Sequence, residues 1–284
     1  VKFTLPLFEI VTNLNDMAES ERPKIGYSCY FTRSREGEQF VPEHVFSYQI
    51  SGRLTMTDDN HHTNIFNEGD FRFIRRNNLV KYIKEPPAGG EFKSVSVYLD
   101  QQSLRDFSIR EGIEGSSVRS TASVIKLKPN TLFKSYMDSL QPYRQDDVVI
   151  SDALQQLKVN EAILLLLQAD PSLADVLFDF SEPGKIDLEG FMEKNFHFNV
   201  QMKRFAYLSG RSLATFKRDF EKVFNTTPGH WLQERRLKEA YYLIREKGRS
   251  ASDIYLDLGF EDLSHFSFAF KNKYGLTPSK VMTH

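Results

Sequence analysis

The 284-residue sequence has one cysteine, Cys29. A single thiol makes no intramolecular disulfide and no cysteine metal cluster. There is no run of about 20 apolar residues, the length a helix needs to cross a bilayer, so no membrane partner is expected. The opening Val1-Lys2-Phe3 lacks the long apolar stretch of a secretory leader, and a cytoplasmic location is expected. No Gly-rich phosphate loop, Ser-His-Asp grouping or paired-carboxylate motif stands out. The sequence therefore gives no catalytic residue and no cofactor, and the reading is of a protein that is not an enzyme. Strong net charge is also missing, since 37 Lys+Arg against 38 Asp+Glu leave −1.

That near-neutral total hides an asymmetry. From Asp187 onward there are 16 basic and 12 acidic residues, a net of +4, while residues 1–186 carry a net of −5. A basic C-terminal part is the direction expected for phosphate contact. Apolar content of 40% with 24 phenylalanines supports packed cores, and the length allows one large or two medium domains.

The C-terminal part contains one small pattern twice. Phe216, Phe220, Phe224, Thr227 and Pro228 recur 50 residues later as Phe266, Phe270, Tyr274, Thr277 and Pro278. Apolar residues spaced four apart lie on one helical face, so each aromatic ladder is a buried stripe. A glycine stands upstream of each ladder, Gly210 and Gly259, suited to a left-handed helix end. Short amphipathic helices precede the glycines, with Met202, Phe205 and Ala206 in one and Ile254 and Leu258 in the other. Asn199 and Ser212 read as N-caps and Ser250 with Asp253 as a capping box. Helix, glycine turn, helix is the helix-turn-helix pattern, whose second helix lies in the DNA major groove. Trp231 to Lys247 reads as a long helix connecting the two units.

The stretch from about Leu188 to Val281 resembles the DNA-binding domain of the AraC/XylS transcription regulators. The resemblance is most specific over Asp253-Ile254, Leu258-Gly259-Phe260, Phe266-Ser267, Phe270-Lys271, Tyr274-Gly275 and Thr277-Pro278. It implies an activator that binds double-stranded promoter DNA and works with RNA polymerase. Its two recognition helices would enter successive major grooves about 34 Å apart; a shorter separation would require the DNA to bend.

The first recognition helix is expected over Leu213 to Phe224. By alignment of the ladder, the family's base-reading positions fall on Ala214, Lys217 and Arg218. Lys and Arg suit guanine O6 and N7, and Ser212, Thr215 and Lys222 complete the expected contact set. The second helix is expected over Leu263 to Tyr274, with base-reading positions at Ser264, His265 and Phe268. The family commonly has arginine where Phe268 stands, so this helix is expected to give more backbone affinity than specificity. Lys271 and Lys273 are its phosphate contacts.

Residues 24–100 read as β. Lys24 to Thr32, Val45 to Ile50, Leu54 to Thr57, Phe71 to Ile74 and Ser94 to Leu99 alternate or carry aromatic residues, with Asp58-Asp59-Asn60 as a turn. Gly52 and Asn67-Glu68-Gly69-Asp70 resemble the cupin jelly roll found at the front of many AraC-type regulators. Metal-binding cupins use a His-x-His pair, a Glu and a later His. Here His44 stands alone, His61 and His62 sit in a turn, and Arg75-Arg76-Asn77-Asn78 occupies the place of the later histidine. No metal site is expected. Alternation leaves open whether the barrel holds a small-molecule effector or is a packed core, and names no ligand-binding residue.

After Gln101 the reading is helical, with Ser103–Ser108 short and Asn130–Tyr143 amphipathic through Leu132, Phe133, Tyr136, Met137 and Leu140. Ser151–Ala169 carries five consecutive apolar residues, Ile163 to Leu167, and is expected to be buried on two sides. The second side is internal to its own domain, packs on the DNA-binding half or, as the resemblance implies, is the face of a homodimer through helix 151–169. Pro183-Gly184 marks a linker.

The expected architecture is a multidomain α+β chain. A cupin-like barrel with flanking helices spans 1–180 (β about 24–100, helices about 101–180), a linker spans 181–187, and an all-α DNA-binding domain with two helix-turn-helix motifs spans 188–284. Control by a regulatory protein in place of a small molecule, and a cupin enzyme fused to a DNA-binding module, are the alternatives.

Overall fold

The computed structural model describes residues 23–32, 39–115, 122–144 and 150–282, so Val1-Lys2-Phe3 lies outside the described residues. The chain divides into two compact units. The first comprises Val1–Ser34, Val41–Asn78 and Tyr82–Ser181; the second comprises Arg35–Phe40, Leu79–Lys81 and Glu182–His284.

The strands are β1 (Ile25–Tyr30), β2 (Gln39–Val41), β3 (His44–Ser51), β4 (Arg53–Asp58), β5 (Thr63–Phe66), β6 (Phe71–Ile74), β7 (Asn78–Glu85), β8 (Phe92–Leu99) and β9 (Val124–Leu127). They form one sheet in the order β1-β8-β3-β6-β9 and another in the order β2-β7-β4-β5. Without β9 this is the strand order of a jelly roll. β9 lies in the stretch read as purely helical; four residues carry too short an alternation to register. It pairs with β6 from Phe71↔Leu127 to Ile74↔Val124 and extends the first sheet. Strands β2, β5 and β7 were also missing from the sequence reading.

The five-stranded sheet has two unlike faces. Phe46 lies opposite Phe73 on β6 and Val97 on β8, while Tyr48 lies opposite Phe71 and Val95. This face meets helices α1 (Gln101–Glu111), α2 (Thr131–Ser139), α3 (Asp152–Ala169) and α4 (Ala174–Leu177). Phe46 approaches Phe133 of α2 at 5.0 Å between ring centroids, and Phe107, Ile163 and Leu166 complete the same core. The alternate residues, Ser47 and Gln49 on β3 among them, point the other way.

Three of these helices start where a side-chain oxygen accepts from the first turn. Asp100 caps α1, Asn130 caps α2 and Ser151 caps α3. With its Asp100 cap and left-handed Gly112, α1 outruns the expected Ser103–Ser108 at both ends. Helix α3 is not buried on two sides. Val159, Ile163 and Leu166 face the core, but Leu154, Leu157 and Leu164 are 48%, 62% and 53% exposed. The apolar run wraps the helix, and this unit covers only one side of it.

The second unit is helical: α5 (Leu188–Asn195), α6 (Met202–Leu208), α7 (Leu213–Phe224), α8 (Pro228–Lys247), α9 (Ala251–Ile254), α10 (Leu263–Tyr274) and α11 (Pro278–Met282). Its core is built on Phe205, Phe216, Phe220, Leu237, Ile244 and Phe270. Among the described residues no helix is long and apolar enough to cross a membrane.

Candidate DNA-binding surface

The 50-residue offset is a structural repeat down to its caps. Helix α7 is capped by Ser212, whose Oγ accepts from the Thr215 N–H, and ends at left-handed Asn225. Helix α10 is capped by Asp262, which accepts from the His265 N–H at 2.6 Å, and ends at left-handed Gly275. Asn225 fits because its short polar side chain tolerates the left-handed region better than most residues do. Thr227-Pro228 then opens α8 and Thr277-Pro278 opens α11, proline taking the first helical turn, where its missing N–H costs nothing.

Each ladder is the buried face of its helix. Phe216 and Phe220 are fully buried, and Phe224 closes on Trp231 of α8 at 4.7 Å. In the second copy Phe266 and Phe270 are fully buried, and Tyr274 closes on Tyr241 of α8 at 4.7 Å. One connector helix therefore receives both ladders. Its 20 residues span about 30 Å at 1.5 Å per residue.

Most of the residues expected to contact DNA lie on the opposite faces. On α7, Ser212, Ala214, Lys217, Arg218 and Lys222 are exposed. Thr215 is half-buried, its hydroxyl accepting from Ser212 Oγ at 3.0 Å. Asp219 lies beside Arg218 but is drawn to Arg211 Nε at 3.1 Å and to Lys185 at 3.5 Å. The Arg211 hydrogen bond is the main cause holding its carboxyl below the ordinary value. On α10, Ser264, His265 and Lys271 are exposed and Phe268 is 66% exposed. Lys273 is different: half-buried, it pairs with Glu234 of α8.

Three local expectations need correction. The residue before α6 is Gln201, without a side-chain cap; Asn199 instead donates to Glu261 at 3.2 Å. Ser250 does precede α9, but its hydroxyl donates to Asp253 at 2.6 Å and makes no cap bond. The helix before Gly259 is a single turn, with Leu258 buried in the turns that follow it.

Arg236, which the sequence reading passed over, holds the unit together from the middle of α8. Its Nε donates to Phe196 O, its Nη1 to Gly259 O and its Nη2 to Phe198 O, each at 2.8 Å. Nothing in Glu234-Arg235-Arg236 distinguishes the clamp from its charged neighbours.

In the first unit, His44 is the buried first residue of β3, and its Nδ1 accepts from the Arg76 N–H at 3.2 Å. His61 adopts φ 61° in the hairpin turn, and Asp58 in that turn accepts from Asn60 and His62 backbone N–H groups, each at 2.9 Å. Among the described residues no group of three or more His, Cys, Asp or Glu is placed to hold a metal ion.

Family models match two stretches of the chain: a helix-turn-helix domain over residues 206–284 and the ExsA N-terminal regulatory domain over residues 44–176. The HTH-type transcriptional regulator ExsA of Pseudomonas aeruginosa is 27% identical over 240 residues, covering 81% of this chain and 83% of that protein. The thermoregulatory protein LcrF of Yersinia pestis is 25% identical, covering 87% and 89%. The virulence regulon transcriptional activator VirF of Yersinia enterocolitica is 31% identical over 45% of this chain and 48% of its own. Among solved structures, ToxT of Vibrio cholerae covers 92% of this chain and 98% of its own at 10% identity, with a TM-score of 0.38. With both helix-turn-helix units formed and a matching regulatory part before them, this chain belongs to the AraC/XylS family of DNA-binding transcription regulators.

Proposed function

We propose that the chain reads promoter DNA with α7 and α10 in successive major grooves and activates transcription with RNA polymerase. Lys217 and Arg218 read guanine edges, and Ala214 offers a methyl contact. Ser212, Thr215 and Lys222 hold the first helix to the backbone. In the second copy Ser264 and His265 face the bases, and Phe268 meets a thymine methyl. Lys271 binds phosphate directly; Lys273 does so by exchanging Glu234 for the DNA. The observation that carries this reading is the cap-for-cap repeat, which gives one rigid unit two equivalent reading helices. Domain limits of 1–180 and 188–284 with a linker at 181–187 go with it, as does a cytoplasmic location beside the DNA.

A small molecule bound in the N-terminal unit controls this activity; control by a regulatory protein is the competing reading. The exposed stripe Leu154, Leu157 and Leu164 favours a second copy of the chain against α3. The test is the set of genomic fragments retained by the purified chain at physiological salt. A recurrent motif with two elements about one helical turn apart is expected. Retention of fragments without a common motif overturns the two-groove reading.

A further inference from the structure

The stretch from Glu182 to Asp187 belongs to the second unit and is tied down along its length. Tyr207 of α6 donates its hydroxyl to Glu182. Gly184 and Lys185 lay their backbone on the turn of the first helix-turn-helix. A Cβ at Gly210, whose φ is 69°, would stand 2.3 Å from Gly184 C and 2.5 Å from Lys185 N, so the close approach requires glycine there. Arg211 Nη1 donates to Ile186 O at 3.1 Å and to Ser209 O at 2.7 Å. Asp187 ends the stretch as the cap of α5, accepting from the Glu189 and Gly190 N–H groups. A Pro-Gly segment with the composition of a free tether is thus a strap across the turn between α6 and α7.

Strap and turn meet the recognition helix at one side chain. Asp219 of α7 receives Arg211 Nε at 3.1 Å and Lys185 Nζ at 3.5 Å, both on Oδ2. Its Oδ1 stands 3.9 Å from Arg218 Nε, too far for a hydrogen bond but near enough that a small turn of the carboxylate would make one. The Arg211 side chain is 7% exposed and that of Arg218 is 66% exposed. The first cation is built into the fold, and the second faces solvent. An arginine already paired with a carboxylate has fewer N–H groups left for guanine O6 and N7.

We propose that the strap Glu182–Asp187 is a positioning element for DNA reading, in which Lys185 and Arg211 together hold Asp219 off Arg218 and keep that guanidinium free for a base. The proposal rests on the reading that Arg218 contacts guanine, and it adds Arg211 and Lys185 as positioning residues that touch no base. Arg211 outweighs Arg218 for the carboxylate because Ile186 O and Ser209 O already fix its fork, so little side-chain freedom is lost on pairing. Lys185 adds its charge only while the strap is seated. Release of the strap therefore reaches the reading face through Asp219, with the buried ladder of α7 left in place.

The test is made on the full chain and has two readouts. The first is the ratio of binding to the selected motif over random DNA, which cancels any general change in charge. Arg211→Gln is expected to lower that ratio about tenfold, the size of one bidentate base contact. Adding Asp219→Asn to Arg211→Gln removes the carboxylate that captures Arg218 and is expected to restore the ratio, which a merely structural role of Arg211 would not allow. Lys185→Glu, an exposed substitution that the fold tolerates, is expected to lower the ratio about threefold. An unchanged ratio in Lys185→Glu, or a double variant that stays low, overturns the proposal. The second readout is the initial rate of trypsin cleavage after Lys185. A seated strap is expected to be cut at least about tenfold more slowly than a free peptide of residues 180–190, and cleavage at the peptide's rate overturns the strap. Arg218→Ala in the wild-type background tests the base contact alone. An unchanged ratio there overturns the guanine reading and leaves the trypsin result standing, while fast cleavage leaves the guanine reading standing.

Discussion

Gly259 and Arg236 are shaped to each other. Gly259 has φ 83°, and a Cβ there would sit 2.8 Å from Arg236 Cζ and 2.9 Å from His197 O. The bare backbone lets its carbonyl accept from the guanidinium at 2.8 Å. Gly259→Ala should therefore cost at least about 1–2 kcal/mol for the left-handed backbone alone, and more for the clash. Arg236→Lys should cost about 2–3 kcal/mol, because one ammonium cannot follow the fork to three carbonyls. Urea denaturation of the second unit's tryptophan, Trp231, checks both; a wild-type midpoint for Arg236→Lys would show that the clamp is dispensable.

Lys217 and Arg218 stand on the exposed face of α7, and Asp219 lies 3.9 Å from Arg218 Nε but closer, at 3.1 Å, to Arg211 Nε. Each alanine substitution should relax preference at one position of the site, by about 1–3 kcal/mol if the contact is bidentate to a base. Binding to the selected motif and to random DNA of equal length gives the measurement. Equal losses on both would make these residues phosphate contacts.

Lys271 and Lys273 separate two meanings of a lysine near DNA. Lys271→Ala should weaken binding evenly across sequences and reduce the salt slope by about 1. Lys273→Ala should change the slope less, because its ammonium is already paired with Glu234 and binding DNA there releases no full counterion. A slope change as large as that of Lys271→Ala would show that the exchange with Glu234 does not offset the contact.

These contrasts show what the sequence could and could not carry. Both recognition helices were legible to their end residues, because ladder, cap and terminator are local signals that repeat. Arg236 was not legible, since its partners Phe196, Phe198 and Gly259 lie far from it in sequence and are all backbone carbonyls. β9 was missed for a related reason: its pairing with β6 is long-range and its own pattern is only four residues long.

The exposed side of α3 carries its own prediction. Leu157→Asp or Leu164→Asp removes apolar surface from a face that this unit leaves uncovered. Each substitution should leave the stability of the fold within about 0.5 kcal/mol of wild type, as surface changes do, yet shift a dimer to monomer in sedimentation. An unchanged sedimentation profile would remove α3 from the interface.

His44 should make the first unit sensitive to acid. Its Nδ1 accepts from the Arg76 N–H and its ring stacks on Phe73 at 5.3 Å, so a second proton would have to displace that donor. Burial, then the charges of Arg76 and Arg75, lower its pKa to about 3. In the unfolded chain the value returns to about 6.5. Between those limits the unfolded state binds a proton that the native state refuses, so stability falls as the pH drops from about 6.5 towards 3 and is flat above. One such group contributes a slope of at most about 1.4 kcal/mol per pH unit. His44→Gln keeps an acceptor for Arg76 and removes the titration. Urea midpoints from pH 7 to pH 4 should fall less steeply for the variant, by up to one proton. Parallel curves for the two proteins would assign the acid sensitivity to other groups.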